Sequence, residues 1–229
     1  MPQQDVKPQD IGDNFASQVM IQLKQDILSG FFQPGEKLLM ARLKARYQVG
    51  ISPLREALSQ LLVEQLVVVE NQRGFKVHPI SQREMLDIYQ SRAQIEKLCI
   101  ELALQRGDDE WEASILAAAH KMKKFATHID AAPQEWERRH QAFHTAIAAG
   151  CQSPTLLAVR RSLYEKASRY RNLWLNKNMV NPATFEENQH EHHHLIDALL
   201  NRDTALAGKL ICEHLLSPSK LLSQNTDIK

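Results

Sequence analysis

This sequence predicts a mainly α-helical protein in two parts, and three observations predict it. Apolar residues recur at helical spacing along most of the chain. The only β-like stretches fall between Val67 and His78. Beyond Ile80, glycine and proline sit where helices end or begin, and nothing alternates as a strand does. A length of 229 residues suits two domains, and 43% apolar with 24% charged residues is ordinary for a globular chain. No apolar run approaches the roughly 20 residues that span a bilayer, and Met1-Pro-Gln-Gln-Asp-Val-Lys7 has neither the basic nor the apolar region of an export signal. A cytoplasmic protein with no membrane partner is expected. Cys99, Cys151 and Cys212 are unclustered, which argues against a disulfide scaffold or a thiolate zinc finger. A net charge of +1 excludes a broad polycationic coat. Residues 16–79, however, carry eight Lys or Arg against five Asp or Glu, while residues 80–229 carry nineteen of each. The pattern is a basic head on a neutral body.

Residues 1–14 are polar, hold Pro2, Pro8 and Gly12, and read as a disordered arm. From Phe15, the positions Val19, Met20, Leu23, Ile27 and Leu28 mark a helix that Gly30 stops before the turn Gln33-Pro-Gly35. A short helix follows around Leu39–Tyr47. Ser52 reads as an N-cap with Pro53 in the first helical position, ahead of Leu54, Ala57, Leu58 and Leu61. Val67–Glu70 and Phe75–His78 then read as a hairpin around Asn71-Gln-Arg-Gly74, and Pro79 closes the unit. Three helices and a hairpin over residues 15–79 are the order of a winged helix-turn-helix.

In residues 80–217 the capping-box pair Ser81 and Glu84 opens a helix ending near Arg106. Five more helices follow, at roughly 109–128, 133–150, 154–178, 184–201 and 203–216. Pro133 and Pro154 suit first turns and Pro182 marks a break. Six helices with short connections make an antiparallel all-α bundle, with 218–229 as a flexible tail.

A helix-turn-helix sets the N-terminal residues of its second helix against base edges in a major groove of double-stranded DNA. Ser52 and Arg55 hold those positions, and the planar fork of Arg55 matches guanine O6 and N7. Arg42, Lys44 and Arg46 on the preceding helix are candidate phosphate contacts, which position without specifying. Arg73 and Gly74 at the hairpin tip suit a wing in a minor groove. The alternative is a basic surface that only solubilises.

Ten histidines are many for this length, and helix phase places them. His140 and His144 share the apolar face of Trp136, Phe143 and Ile147, at the i, i+4 spacing that lets two imidazoles hold one ion. His192 lies on the face set by Leu195, Ile196 and Leu199, and His214 on that of Ala207, Leu210 and Ile211. His193 lies at the border of its face, and His190 and His194 point away. Four histidines thus converge from three helices, either as hydrogen-bonded core residues, as metal ligands, or as direct partners of an anion.

The stretches Gln33-Pro-Gly-Glu-Lys-Leu38, Val49-Gly-Ile-Ser-Pro-Leu-Arg-Glu-Ala-Leu58 and Asn71-Gln-Arg-Gly-Phe-Lys-Val77 resemble the GntR superfamily of bacterial regulators. The remainder resembles its FadR-type subfamily, which carries an FCD domain, and the likeness covers residues 16–217. Where the family usually has Ser-Arg this chain has Gly50-Ile51, so the operator is expected to differ from the common consensus. Within the family, Arg139-His-Gln-Ala-Phe-His-Thr-Ala-Ile-Ala-Ala-Gly-Cys151 is similar to carbon-starvation-induced repressors of glutarate and γ-aminobutyrate catabolism.

This resemblance implies a homodimeric repressor released from operator DNA by a short dicarboxylate, glutarate first and 2-hydroxyglutarate next. It implies a divalent metal held through an Asp-x-x-x-His pair and two later histidines, here His144, His192 and His214, with His140 in place of the aspartate. Exchanging a carboxylate for imidazole favours Zn or Ni. Ser153 stands where the family often has asparagine near the metal. Arg92 and Glu96 match the family's Arg-x-x-x-Glu, making Arg92 the first candidate to clamp the effector carboxylate, with Arg171 the second. Two other readings are a metal-sensing regulator and a histidine-cluster metalloenzyme. The enzyme reading lacks a general base or nucleophile at motif spacing, and it leaves residues 16–79 unexplained.

Overall fold

The structure, a computed structural model, describes residues 8–70, 74–125, 133–177 and 182–224. In chain order the elements are α1 (Pro8–Leu28), β1 (Lys37–Leu38), α2 (Met40–Tyr47), α3 (Ile51–Val63), β2 (Val67–Val69), β3 (Phe75–Val77), α4 (Gln82–Arg106), α5 (Asp109–Phe125), α6 (Pro133–Ala149), α7 (Pro154–Lys177), α8 (Pro182–Leu200) and α9 (Thr204–Gln224). They form two compact units. One comprises the residues up to Ser81 with Ser168–Leu173, the other Gln82–Ala167 and the chain from Trp174 onward.

The first unit is a winged helix-turn-helix. The i, i+4 rows of α1 and α3 bury Val19, Leu23 and Ile27 against Leu54, Leu58 and Leu61, with Leu43 of α2 closing the core. Gln48, at φ 55°, ends α2 in the left-handed conformation and returns its N–H to the Lys44 carbonyl. The sheet is antiparallel in the order β1-β3-β2, with Lys76 opposite both Lys37 and Val68. Two residues of β1 are too few to show a period, so this third strand leaves no mark in the pattern of residues. Gly74 takes φ 126°, which disfavours any side chain.

In the second unit α4 packs against α9 and α6, α5 against α6, and α8 against α9. Ile100, Ala103, Trp111, Ile115, Phe143, Ile147, Leu199 and Ile211 make its core. The Trp111 ring lies where a Cβ on Gly107 or Gly150 would come within 2.3 or 2.6 Å of it. Its Nε1–H donates to the carbonyls of Ala146 and Ile147 at 3.1 and 3.0 Å. Two glycines therefore fix how closely α5 meets the end of α6.

Four expectations need correction. Helix α1 begins at Pro8, so residues 8–14, expected as a disordered arm, belong to a helix; proline is tolerated in a first turn. Ser52 is not the N-cap of α3. Gly50 is, with extended backbone and no side-chain cap, so Ser52 and Pro53 lie inside the first turn, where proline is also tolerated. Pro182, expected in the break before a helix starting at 184, is itself the first residue of α8. The tail expected from residue 218 continues α9 to Gln224, because Pro218 removes one backbone donor without stopping the helix.

Candidate functional site

In the first unit Ser52 and Arg55 are exposed at the start of α3, and Lys44 is exposed on α2. The other two arginines of α2 are engaged. Arg42 pairs with Glu36 and lies 4.8 Å from the Phe32 ring centroid. Arg46 makes a two-pronged bond to Asp26, Nε to Oδ2 at 2.5 Å and Nη2 to Oδ1 at 2.6 Å, and stacks 3.7 Å from the centroid of Phe31. Tyr47 donates its hydroxyl to the same Asp26 at 2.5 Å, and burial together with that carboxylate pushes its pKa up. Arg42 and Arg46 thus hold α2 to its surroundings, and a phosphate would compete with a carboxylate for each. Gly74 sits at the loop end of the hairpin, where its carbonyl accepts a backbone bond from the Glu70 N–H at 3.0 Å. Arg73 lies outside the described residues.

The second unit brings His140, His144, His192 and His214 together. All four are buried, and one ring nitrogen of each lies within 4.8 Å of the others. The i, i+4 step on α6 supplies two, α8 the third and α9 the fourth. The Nε2 of His140 is 3.1 Å from Nε2 of both His144 and His192. His214 bonds Glu191 Oε2 through Nδ1 at 2.7 Å. Trp136 stacks on His140 at 4.8 Å, and Glu137 Oε2 lies 3.8 Å from its Nδ1.

Burial pushes the His140 pKa down to about 3, with the Arg92 charge adding to the fall. Burial first, then the neighbouring histidines, carries His144 and His192 well below the ordinary value. His214 is lowered by burial and partly restored by Glu191. All four are therefore neutral near pH 7, the form in which imidazole donates a lone pair. His190, His193 and His194 are exposed.

This donor set fits a metal ion. One Nε2 has either a proton or a lone pair, so His140 cannot hydrogen-bond well to two imidazoles at once. Ligand bonds of about 2.0–2.1 Å around one ion leave neighbouring nitrogens roughly 3 Å apart, close to the spacing found here. The His214–Glu191 bond is the carboxylate–histidine pairing that orients metal ligands.

Beside the histidines is a buried charge cluster. Arg92 and Glu96, one turn apart on α4, are 3% and 2% exposed, with Arg92 Nε 3.7 Å from Glu96 Oε1. Arg160 of α7, also buried, donates from Nε to Glu96 Oε2 at 2.7 Å and from Nη1 to Thr145 Oγ1 at 3.3 Å. Sequence reasoning missed Arg160, although a signal existed: it shares a helix face with Tyr164 and Ala167, at i+4 and i+7. Arg171 is half-buried within Ser168–Leu173, the stretch that groups with the first unit. Ser153 is half-buried and accepts a bond from the Leu156 N–H at 3.4 Å in the first turn of α7, so it serves as a helix cap.

With a helix-turn-helix in one unit and a buried histidine and arginine interior in the other, the molecule has the two parts of a ligand-responsive regulator. The family model for bacterial regulatory proteins of the gntR family matches residues 15–77, and that for the FCD domain matches residues 87–217. The chain is 48% identical over 205 residues to the HTH-type transcriptional repressor GlaR of Escherichia coli K12, covering 88% of this chain and 93% of that one. It is 32% identical to the uncharacterized HTH-type transcriptional regulator BphR of Paraburkholderia xenovorans, over 88% of this chain and 82% of that one. Among solved structures, Escherichia coli McbR/YncC superposes with a TM-score of 0.77 at 22% identity, covering 92% and 97% of the two chains. The chain belongs to the gntR family of bacterial regulatory proteins and carries an FCD domain. These families and relatives are transcriptional regulators, not enzymes, so the metalloenzyme reading is set aside.

Proposed function

We propose that this protein is a cytoplasmic, homodimeric repressor that binds operator DNA through its first unit and is released by a short dicarboxylate bound in its second. The observation that carries the reading is the buried cluster of four neutral histidines beside two arginines that outnumber their carboxylate partner. Nothing in a purely structural core calls for such an interior, because unpaired buried charge is costly. The 48% identity to a named repressor supports repression over activation.

On the DNA side, Arg55 and Ser52 read base edges while Lys44 meets a phosphate. Two copies, related by a two-fold axis, place their α3 helices in successive major grooves of a pseudo-palindromic site. In the second unit His140, His144, His192 and His214 would hold one divalent ion, Zn or Ni by ligand type. Such an ion supplies fixed positive charge for a carboxylate. Arg92 adds a planar fork for a carboxylate group, and glutarate or 2-hydroxyglutarate is the effector favoured by the family resemblance.

Fluorescence anisotropy with a duplex from upstream of the protein's own coding region tests the reading. Binding should exceed that of a shuffled duplex and weaken steeply with salt, as released counterions require. Equal affinity for both duplexes at every salt concentration would contradict it.

A further inference from the structure

We propose that Arg160 is the second anion anchor of the effector pocket, reading with Arg92 the carboxylate that distinguishes a dicarboxylate from a monoacid. This rests on the effector reading above and names a residue outside the family's Arg-x-x-x-Glu motif.

The guanidiniums of Arg92 and Arg160 are each 3% exposed and share one carboxylate, Glu96. Two permanent positive charges are thus buried against the one carboxylate that they share. Hydrogen bonding is incomplete to match: Arg92 Nε and Nη2, Arg160 Nη2 and Glu96 Oε1 are buried without a hydrogen-bond partner among the described residues. Three guanidinium nitrogens thus lack an acceptor, and a planar carboxylate offers two oxygens to such forks. Arg92 is kept in place from below by Tyr164, whose ring centroid is 5.1 Å from its Cζ.

The cluster adjoins the histidines at two points. Arg160 bonds Thr145, the residue after His144. The Tyr164 hydroxyl donates to Glu137 Oε1 at 2.7 Å, and the other oxygen of Glu137 faces His140 Nδ1 at 3.8 Å. A short diacid can therefore set one carboxylate toward the histidines and the other between the two arginines. Arg171 cannot share this role with Arg160: eleven residues along α7 place it about 16 Å further on. Glu96 acts as a positioning residue, holding Arg160 through Nε by one oxygen while Nη2 has no acceptor among the described residues.

The test is calorimetry on the full-length protein with glutarate and with pentanoate, its analogue bearing methyl in place of one carboxylate. Wild type should prefer glutarate by at least about a hundredfold, as sites built around a polar partner do. The double variant Glu96→Gln/Arg160→Gln removes the pair without a net change in charge. It should lose most of that preference by losing far more affinity for glutarate than for pentanoate, a pattern general damage would not produce. Arg161→Gln, on the exposed neighbour of Arg160, should keep the wild-type ratio. Should the double variant fail to fold, Arg160→Lys carries the same test, with at least a tenfold loss of preference expected. A folded variant of either kind that keeps the full ratio overturns the role of Arg160 and leaves the effector reading standing. Wild-type protein that binds no C4–C6 dicarboxylate overturns both.

Discussion

At the scale of single residues, Arg55 and the four histidines carry the most weight. Arg55 is exposed one turn into α3 with no acidic partner among the described residues, unlike Arg42 and Arg46, which are tied to Glu36 and Asp26. Replacing Arg55 with alanine should cost about 1–3 kcal/mol of operator affinity if it reads a base edge. Anisotropy on the mutant measures this, and unchanged affinity would remove Arg55 from the reading surface. Protein purified without a metal-affinity step should contain one divalent ion per chain by elemental analysis. His144→Ala or His192→Ala should lose it, because each removes one of four ligands converging within 4.8 Å. Metal-free wild type with a full effector response would defeat the metal assignment. Helix phase made these histidines legible, since each sits on the apolar side of its own helix. The Arg46–Asp26 clamp and the Arg160–Glu96 pair were not legible as pairs. Their partners stand 20 and 64 residues apart, and no local period links them.

At the scale of elements, the seam between α5 and the end of α6 is the tightest contact whose cause is explicit. A methyl group on Gly150 would meet three atoms of the Trp111 indole at 2.6–2.8 Å, and the indole is held by two backbone carbonyls. Gly150→Ala should therefore destabilise the protein by about 1–3 kcal/mol, the usual cost of overpacking. Thermal unfolding of the second unit's transition would show it, and an unchanged midpoint would mean that Trp111 can move aside. The same elements show what a sequence can and cannot disclose. The long amphipathic helices α4–α9 were legible because their apolar rows repeat over many turns. Strand β1 was not, with two residues and no period. Helix ends were misjudged where proline was read as punctuation: Pro8 and Pro182 lie in first turns, and Pro218 lies within α9.

At the scale of the molecule, release of DNA requires that the effector bind the free form more tightly than the DNA-bound form. In the proposed mechanism that difference arises in the second unit, where an incoming diacid would satisfy buried guanidinium nitrogens of Arg92 and Arg160 that have no acceptor among the described residues. In the proposed homodimer, ordering that interior would change how the two reading helices meet the two half-sites, whose spacing DNA fixes at about one helical turn. Titrating glutarate into a preformed complex of the full-length protein with its operator duplex, followed by anisotropy, is the direct measurement. The account predicts release in wild type and no release in Arg92→Ala or His192→Ala at the same glutarate concentration. If glutarate and the other C4–C6 dicarboxylates leave the wild-type complex intact, a dicarboxylate does not govern this repressor.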